Sequence, residues 1–245
     1  MFMKSHDKTL FLDPRGGIAG DMLLAALAGL GADLARFQAL LRAAGLDVAL
    51  SLEQRSRAGI AGVGLRIDAP GAQPLRHLAD ILALTDALSL PPRAAGRSRA
   101  AFRRLAEVEA AVHGVGIEEV HFHEVGAVDT LVDVAGAFWA LDELRMGEVV
   151  CASLPWFSGT VACAHGLLPL PAPAVLRLLE GKPVYATGIE EEIVTPTGAL
   201  LVDQVATRFA PGPDGIVLAQ ATAFGGRIIA AAPWGLRAVL LENYL

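Results

Sequence analysis

The period of apolar positions changes several times along the chain, and each change marks an element. Thr9 to Asp13 is a short apolar run read as a first strand; the loop Pro14 to Gly20 follows, then a helix from about Asp21 to Leu30, stopped by Gly31. Leu34, Phe37, Leu40 and Leu41 form the stripe of a second helix, Asp33 to Ala44, ended by Gly45. Val48 to Glu53 and Gly62 to Ile67 read as strands joined through a glycine-containing turn, with a loop at Asp68 to Pro74. Helices are expected at Leu75 to Leu88 and Pro92 to His113, the second with proline in its permitted first turn, and again at Val125 to Leu144. Strands at Val149 to Leu154 and Thr160 to Ala164, a proline-rich loop, and helices at Ala172 to Leu179 and from Pro196 come next. Ile216 to Ala223 and Leu236 to Leu241 read as two closing strands. The pattern predicts an α/β (mixed α+β) fold: a sheet with flanking helices in a main domain over 1–210, and a small β-rich C-terminal tail over 211–245 that packs on it or begins a further domain.

Composition narrows the class. The chain has 245 residues, enough for one large domain, and is 53% hydrophobic with a mean hydropathy of +0.48. No run approaches the roughly 18 uncharged apolar residues of a spanning helix. Met22 to Ala32 is bounded by Asp21 and Asp33, and Leu167 to Leu179 carries three prolines and Arg177. Asp13 and Asp21 interrupt the N-terminal region in a way that does not suit a secretion signal, so a cytoplasmic chain without a membrane partner is expected. A net charge of -6 argues against a nucleic-acid partner. The arginines at 93, 97, 99, 103 and 104 read as a solvated helix face. Cys151 and Cys163 form neither a secreted disulfide framework nor a paired zinc motif, and reduced thiols are expected.

Chemistry concentrates between His121 and Asp133, which hold two of the six histidines and three carboxylates. On an extended segment His121 and His123 leave the same face and can reach one ion. From Val125 the pattern turns helical, and Asp129 and Asp133 fall on one face about 6 Å apart along the axis. Gly136 and Ala140 continue that face and let another element approach. The alternative is that the histidines cap or pack and the aspartates form a solvated face. The loop Asp13 to Asp21 joins a strand to a helix, and Gly16, Gly17 and Gly20 leave its backbone N–H groups free to meet an anion at a helix N-terminus. Asp21 also suits a helix N-cap. Asp13, at a strand end, has the position of many catalytic carboxylates in open α/β sheets. Cys163 and His165 lie two apart, a soft donor beside an imidazole that suits nickel, copper or zinc. Thr195 and Pro196 read as an N-cap and first helical residue, followed by Thr197 and Gly198. Glu190, Glu191 and Glu192 form an acidic run with two readings, assistance to a cation or, as is commoner for such runs, a solvated loop.

Four blocks together carry a resemblance: Leu12-Asp13-Pro14 with Gly17-Ile18-Ala19-Gly20-Asp21-Met22; His121-Phe122-His123-Glu124-Val125-Gly126-Ala127-Val128-Asp129; Ala164-His165-Gly166 with Pro169 and Pro171-Ala172-Pro173-Ala174; and Val194-Thr195-Pro196-Thr197-Gly198-Ala199. In this order they resemble the LarC family of nickel-insertion proteins. The resemblance implies a CTP-dependent cyclometallase, which inserts nickel into pyridinium-3,5-bisthiocarboxylic acid mononucleotide and forms metal–carbon and metal–sulfur bonds. On that reading Asp13, Asp21 and Glu124 are the expected catalytic residues. Gly16, Gly17, Gly20, Thr195 and Thr197 are expected to bind the mononucleotide, and His121, His123, Asp129, Asp133, Cys163 and His165 to hold metal.

Family members commonly carry a histidine-rich insertion before the segment matched by Arg76 to Ile81. Here only Gly71-Ala72-Gln73-Pro74 and His77 stand there, which argues against nickel storage. The family also continues into a C-terminal domain associated with CTP and magnesium or manganese, whereas this chain stops at Leu245. CTP use is therefore expected to need that domain or a partner chain, and a second copy of the chain is a further candidate partner. The competing expectations are a non-catalytic nickel metallochaperone or scaffold, and a metal-dependent phosphohydrolase built on Asp13 and the His-x-His-Glu block.

Overall fold

A hydrophobic strand buried on both faces sits near the middle of a sheet, and β1 (Lys8–Asp13) has that character: five of its six residues are buried. The structure, a computed structural model, describes residues 8–69, 77–122, 128–163 and 166–242. From β1 the chain enters α1 (Gly20–Gly29) and α2 (Leu34–Ala43), then the hairpin β2 (Ala49–Arg57) and β3 (Ile60–Asp68). Next are α3 (Leu78–Ala87), α4 (Pro92–His113), α5 (Val128–Glu143) and β4 (Met146–Cys151). After β5 (Leu154–Phe157), β6 (Thr160–Cys163) and β7 (Gly166–Pro169) come α6 (Pro173–Leu179), β8 (Val184–Ile189) and α7 (Pro196–Val205). The chain closes with β9 (Arg208–Phe209), β10 (Ile216–Ala223) and β11 (Leu236–Glu242).

The main sheet has seven strands in the order β2-β3-β10-β11-β1-β4-β9. β1, β4 and β9 are parallel, β11 runs against β1 and β10, and β10 is parallel to β3. The mixed α/β architecture expected from the pattern is present. The two C-terminal strands join the main sheet in its interior, where β11 pairs with β1 from Thr9↔Leu241 to Asp13↔Arg237. Two small sheets, β5-β8 and β6-β7, stand apart from it. Among the described residues no helix is long and apolar enough to cross a membrane.

Strand alternation sorts the two faces of the sheet. Leu10 and Leu12 of β1, with Leu236, Ala238 and Leu240 of β11, belong to the large core shared with the helices, where α1 packs on β3, β10 and β11 and α5 packs on α1. Phe11, Val150 and Leu241 form a separate small cluster on the other face. Asp13 and Arg237 alternate with Leu12 and Leu236 and so belong to that second face. α1 and α5 meet closely: a Cβ on Gly136 would lie 2.6 Å from Leu24 and 2.8 Å from Phe37. The small residues behind the aspartates thus admit α1 and α2.

The sequence reading differs from the structure mainly in strands. β2 and β3 continue to a two-residue turn in which Ala58 and Gly59 both have positive φ (48° and 78°), as a tight hairpin turn requires. The polar run Gln54-Arg55-Ser56, beyond the expected strand end at Glu53, continues the edge strand β2. The strand expected at Val149 to Leu154 splits. Cys151 ends β4, the Ala152 amide donates to Leu12 O at 2.9 Å, and Leu154 opens β5 in another sheet. β7, β8 and the two-residue β9 escape the pattern because glycine, proline and short length obscure their period. α3 is described from Leu78, with the Asp80 carboxylate accepting the His77 backbone N–H at 3.0 Å, and the expected start at Leu75 lies outside the described residues.

Candidate functional site

Parallel strands carry the chain to one end of the sheet, and the helices that follow or precede them begin there. The segments before α1 and α7 pair with each other: Ile18 bridges Val194, the Ile18 amide donates to Ile193 O at 2.8 Å, and the Thr195 amide donates to Ile18 O at 3.1 Å. Both segments then turn into helix. Thr195 caps α7, its hydroxyl accepting the Gly198 amide at 3.1 Å, with Pro196 in the first turn. Gly198 is tight because a Cβ there would lie 2.2 Å from Ile18 O.

The N-termini of α1, α5 and α7 open on one groove of about 540 Å3. Gly20, Asp21, Asp129, Asp133, Cys163, Thr195 and Thr197 line it, together with Glu192. Residues widely spread in sequence and expected to serve metal and substrate therefore share one cavity. A second chamber of about 320 Å3, lined by Gly16, Met22, Phe224 and Ile229, shares Asp21, Glu192 and Thr195 with the groove.

Asp133 is the anomalous group in this groove. It is 9% exposed, and its Oδ1 is buried with no hydrogen-bond partner among the described residues. Gly20 admits it: a Cβ there would sit 2.3 Å from Asp133 Oδ2. Burial pushes its carboxyl well above the usual carboxylate range, the charges of Asp21 and Asp129 add to this, and the Asp21 backbone N–H opposes it. Asp21 is also raised, first by burial, although the Met22 amide and Arg55 oppose the shift. Its carboxylate takes the Met22 amide at 2.8 Å and Ala19 is the N-cap, because α1 starts at Gly20, two residues before the Met22 start that would make Asp21 the cap. An orphaned buried acid beside two further carboxylates, in a groove that a thiol also lines, suits a cation that displaces a proton. Among the described residues no three His, Cys, Asp or Glu side chains already stand as a cation cage.

Other expected site residues lie elsewhere. Asp13 does not line the groove. Its carboxylate, 3% exposed, accepts Arg15 Nε at 2.9 Å and Arg15 Nη2 at 2.7 Å. It also accepts Arg237 Nε at 3.0 Å and a further close bond from Arg237 Nη2. Burial alone would raise its pKa, but the two guanidiniums hold it below the usual carboxylate range. In the glycine loop the Gly17 amide donates to Pro14 O at 2.8 Å, so it turns inward. A Cβ on Gly16 would lie 2.3 Å from the Gly235 backbone, and one on Gly17 2.3 Å from Ile193 O. Those glycines serve close backbone packing. His121 is exposed, and its ring lies 4.0 Å from that of His77, centroid to centroid. His123, Glu124 and His165 fall outside the described residues.

Comparison with known proteins decides the family. A family model described as nickel insertion protein matches residues 10–244. The chain belongs to the nickel insertion protein family. A relative from Thermomicrobium roseum named for nickel insertion is 46% identical over 209 residues, 83% of this chain and 51% of the relative. The pyridinium-3,5-bisthiocarboxylic acid mononucleotide nickel insertion protein of Staphylococcus epidermidis is 39% identical over 211 residues, covering 86% of this chain and 53% of its own length. The protein of that name from Desulfitobacterium hafniense is 42% identical over 207 residues, covering 84% and 52%. This family member thus spans about half the length of the curated relatives it matches. No solved structure matches it.

For this nickel insertion family member, sequence reasoning missed the two arginines on Asp13 and the place of Glu192 on both chamber walls. Arg15 stands within the loop that the glycines mark. Arg237 meets Asp13 only through the β1–β11 register, which no local spacing reveals.

Proposed function

We propose that this chain is the nickel- and substrate-holding part of an enzyme that inserts nickel into pyridinium-3,5-bisthiocarboxylic acid mononucleotide, in nickel-pincer cofactor biosynthesis. The observation that carries this reading is the buried Asp133, whose Oδ1 has no partner among the described residues, in the lining of a groove shared with Asp21, Asp129 and Cys163. Relatives named for this reaction support the choice of metal and substrate. Nickel is cargo here. Asp133 is its first oxygen ligand, with Asp129 and Cys163 drawn in from the same groove on binding, and the cation competes with the proton that burial favours on Asp133.

Metal–carbon bond formation replaces a ring C–H by C–Ni and releases a proton. Asp21, on the wall between groove and chamber and with its pKa raised chiefly by burial, is placed to accept that proton. Thr197, 9% exposed at the first turn of α7, offers a hydroxyl to substrate on the same wall. The reading includes CTP use with magnesium or manganese by a further domain or a partner chain, since no triphosphate-binding motif stands in this sequence. No step performed by the residues above runs through CTP.

Equilibrium dialysis with nickel tests the assignment. Asp133→Asn keeps the side-chain volume and is expected to weaken nickel at least about tenfold, or about 1.4 kcal/mol. Asp68→Asn serves as the control: Asp68 sits in an exposed ion pair with Arg66, outside the groove lining, and this variant should bind nickel as the wild type does. Equal affinity of wild type and Asp133→Asn would overturn the ligand assignment.

A further inference from the structure

The Asp13 cluster holds more positive charge than its carboxylate needs. One buried carboxylate is neutralised by one guanidinium, yet Arg15 and Arg237 both converge on it, leaving a net positive cluster in a chain of net charge -6. Both arginines present their Nε and Nη2 to Asp13, while neither Nη1 donates to an acceptor among the described residues. Their side chains are 61% and 49% exposed, so the unused edges reach solvent.

The surroundings fix these edges in place. Arg15 precedes Gly16, which lies against the Gly235 backbone too closely for any Cβ, and Arg237 lies two residues beyond Gly235. Gly235 has φ +63°, and a Cβ there would lie 2.4 Å from Ala223 O, so the contact admits only glycine. A cavity of about 190 Å3 lies against Arg15, Arg237, Thr222 and Trp234. It shares Gly235 with the chamber that adjoins the nickel groove. Two preorganised guanidinium edges beside a small cavity have the geometry that recognises a tetrahedral oxyanion.

Resting on the reading that the chain takes a pyridinium mononucleotide, we propose that Arg15 and Arg237, set in place by Asp13, bind the phosphate of that substrate. Asp13 is then a positioning residue. The phosphate anchors at the end of β1 and β11, and the glycine loop serves to hold Arg15 against Gly235 instead of cradling the phosphate with its own amides.

The test is titration calorimetry with nicotinic acid mononucleotide, which has the pyridinium ring, ribose and phosphate, and with nicotinic acid riboside, which lacks the phosphate. The wild type should bind the mononucleotide at least about tenfold more tightly than the riboside. Arg15→Gln and Arg237→Gln should each erase most of that difference, and Arg15→Lys should restore part of it while keeping the ion pair that supports the fold. Circular dichroism confirms that each variant is folded. Equal binding of mononucleotide and riboside to the wild type, or an unchanged preference in both glutamine variants, would overturn the proposal. Binding of CTP but not of the mononucleotide would also overturn it and assign the arginines to the triphosphate. Nickel affinity separates this inference from the functional reading: Arg15→Gln should leave it unchanged, and failure of the Asp133→Asn test alone would leave the phosphate site standing.

Discussion

Asp13 and Asp133 are both buried aspartates at the same end of the sheet, yet their environments push them in opposite directions. Asp13, on the face away from the helices, meets two guanidiniums and stays ionised below its ordinary pKa. Asp133, between α1 and α5, has no cation beside it among the described residues and a bare Oδ1, so burial and two neighbouring acids favour its protonated form. Burial is common to both; the partner decides the charge state. Their contributions to stability therefore oppose each other with pH. Asp13 contributes stability above the unfolded value of 3.8, lost as pH falls through its lowered folded pKa. Asp133 contributes stability below 3.8, lost as pH rises toward its raised folded pKa. One region carries its own counter-cations, and the other lacks one that a metal can supply.

The largest expected effect comes from making the first region resemble the second. The double variant Arg15→Gln/Arg237→Gln strips Asp13 of both cations and should lose about 2–4 kcal/mol in urea unfolding near neutral pH, below the full range for a buried pair because both arginines are about half exposed. Asp13 should then lose its stabilising contribution above 3.8. A loss smaller than about 0.5 kcal/mol would show that the arginines do not govern Asp13.

A smaller effect is expected at the second region from Gly20→Ala. The added methyl falls on the Asp133 carboxyl and must push α1 from α5 or turn Asp133 out of its pocket. About 1–3 kcal/mol of destabilisation is expected, with weaker nickel binding, read by thermal unfolding and dialysis. Unchanged stability and metal affinity would mean that the close approach at Gly20 has no part in shaping the site.

The fold was legible where periodicity ran long. α2, α4 and α5 follow from their stripes, and β10 and β11 from apolar runs, although their interior place in the sheet depends on pairing with β1 and β3. β9 has too few residues to show a period, and β8 is almost wholly exposed and carries Gly188, so it has no apolar alternation to read. For the site, Asp129 and Asp133 could be placed on one helix face from their spacing, and Thr195 read as a cap from Thr-Pro. That Asp21, Cys163 and Thr197 would join them needed the tertiary arrangement of α1, β6 and α7 around one groove. Asp13 was legible as a special carboxylate but not as an arginine-bound one. Its second partner arrives from β11, 224 residues away in sequence.

Proton release on nickel binding tests the central claim most directly. Titration calorimetry at mildly acidic pH, repeated in buffers of different ionisation enthalpy, counts the protons released per nickel bound. The wild type should release about one more proton than Asp133→Asn, and its nickel affinity should rise with pH more steeply than that of the variant. Tight nickel binding with the same proton count and pH dependence in both proteins would contradict the account, because the metal would then bind without displacing the proton held on Asp133.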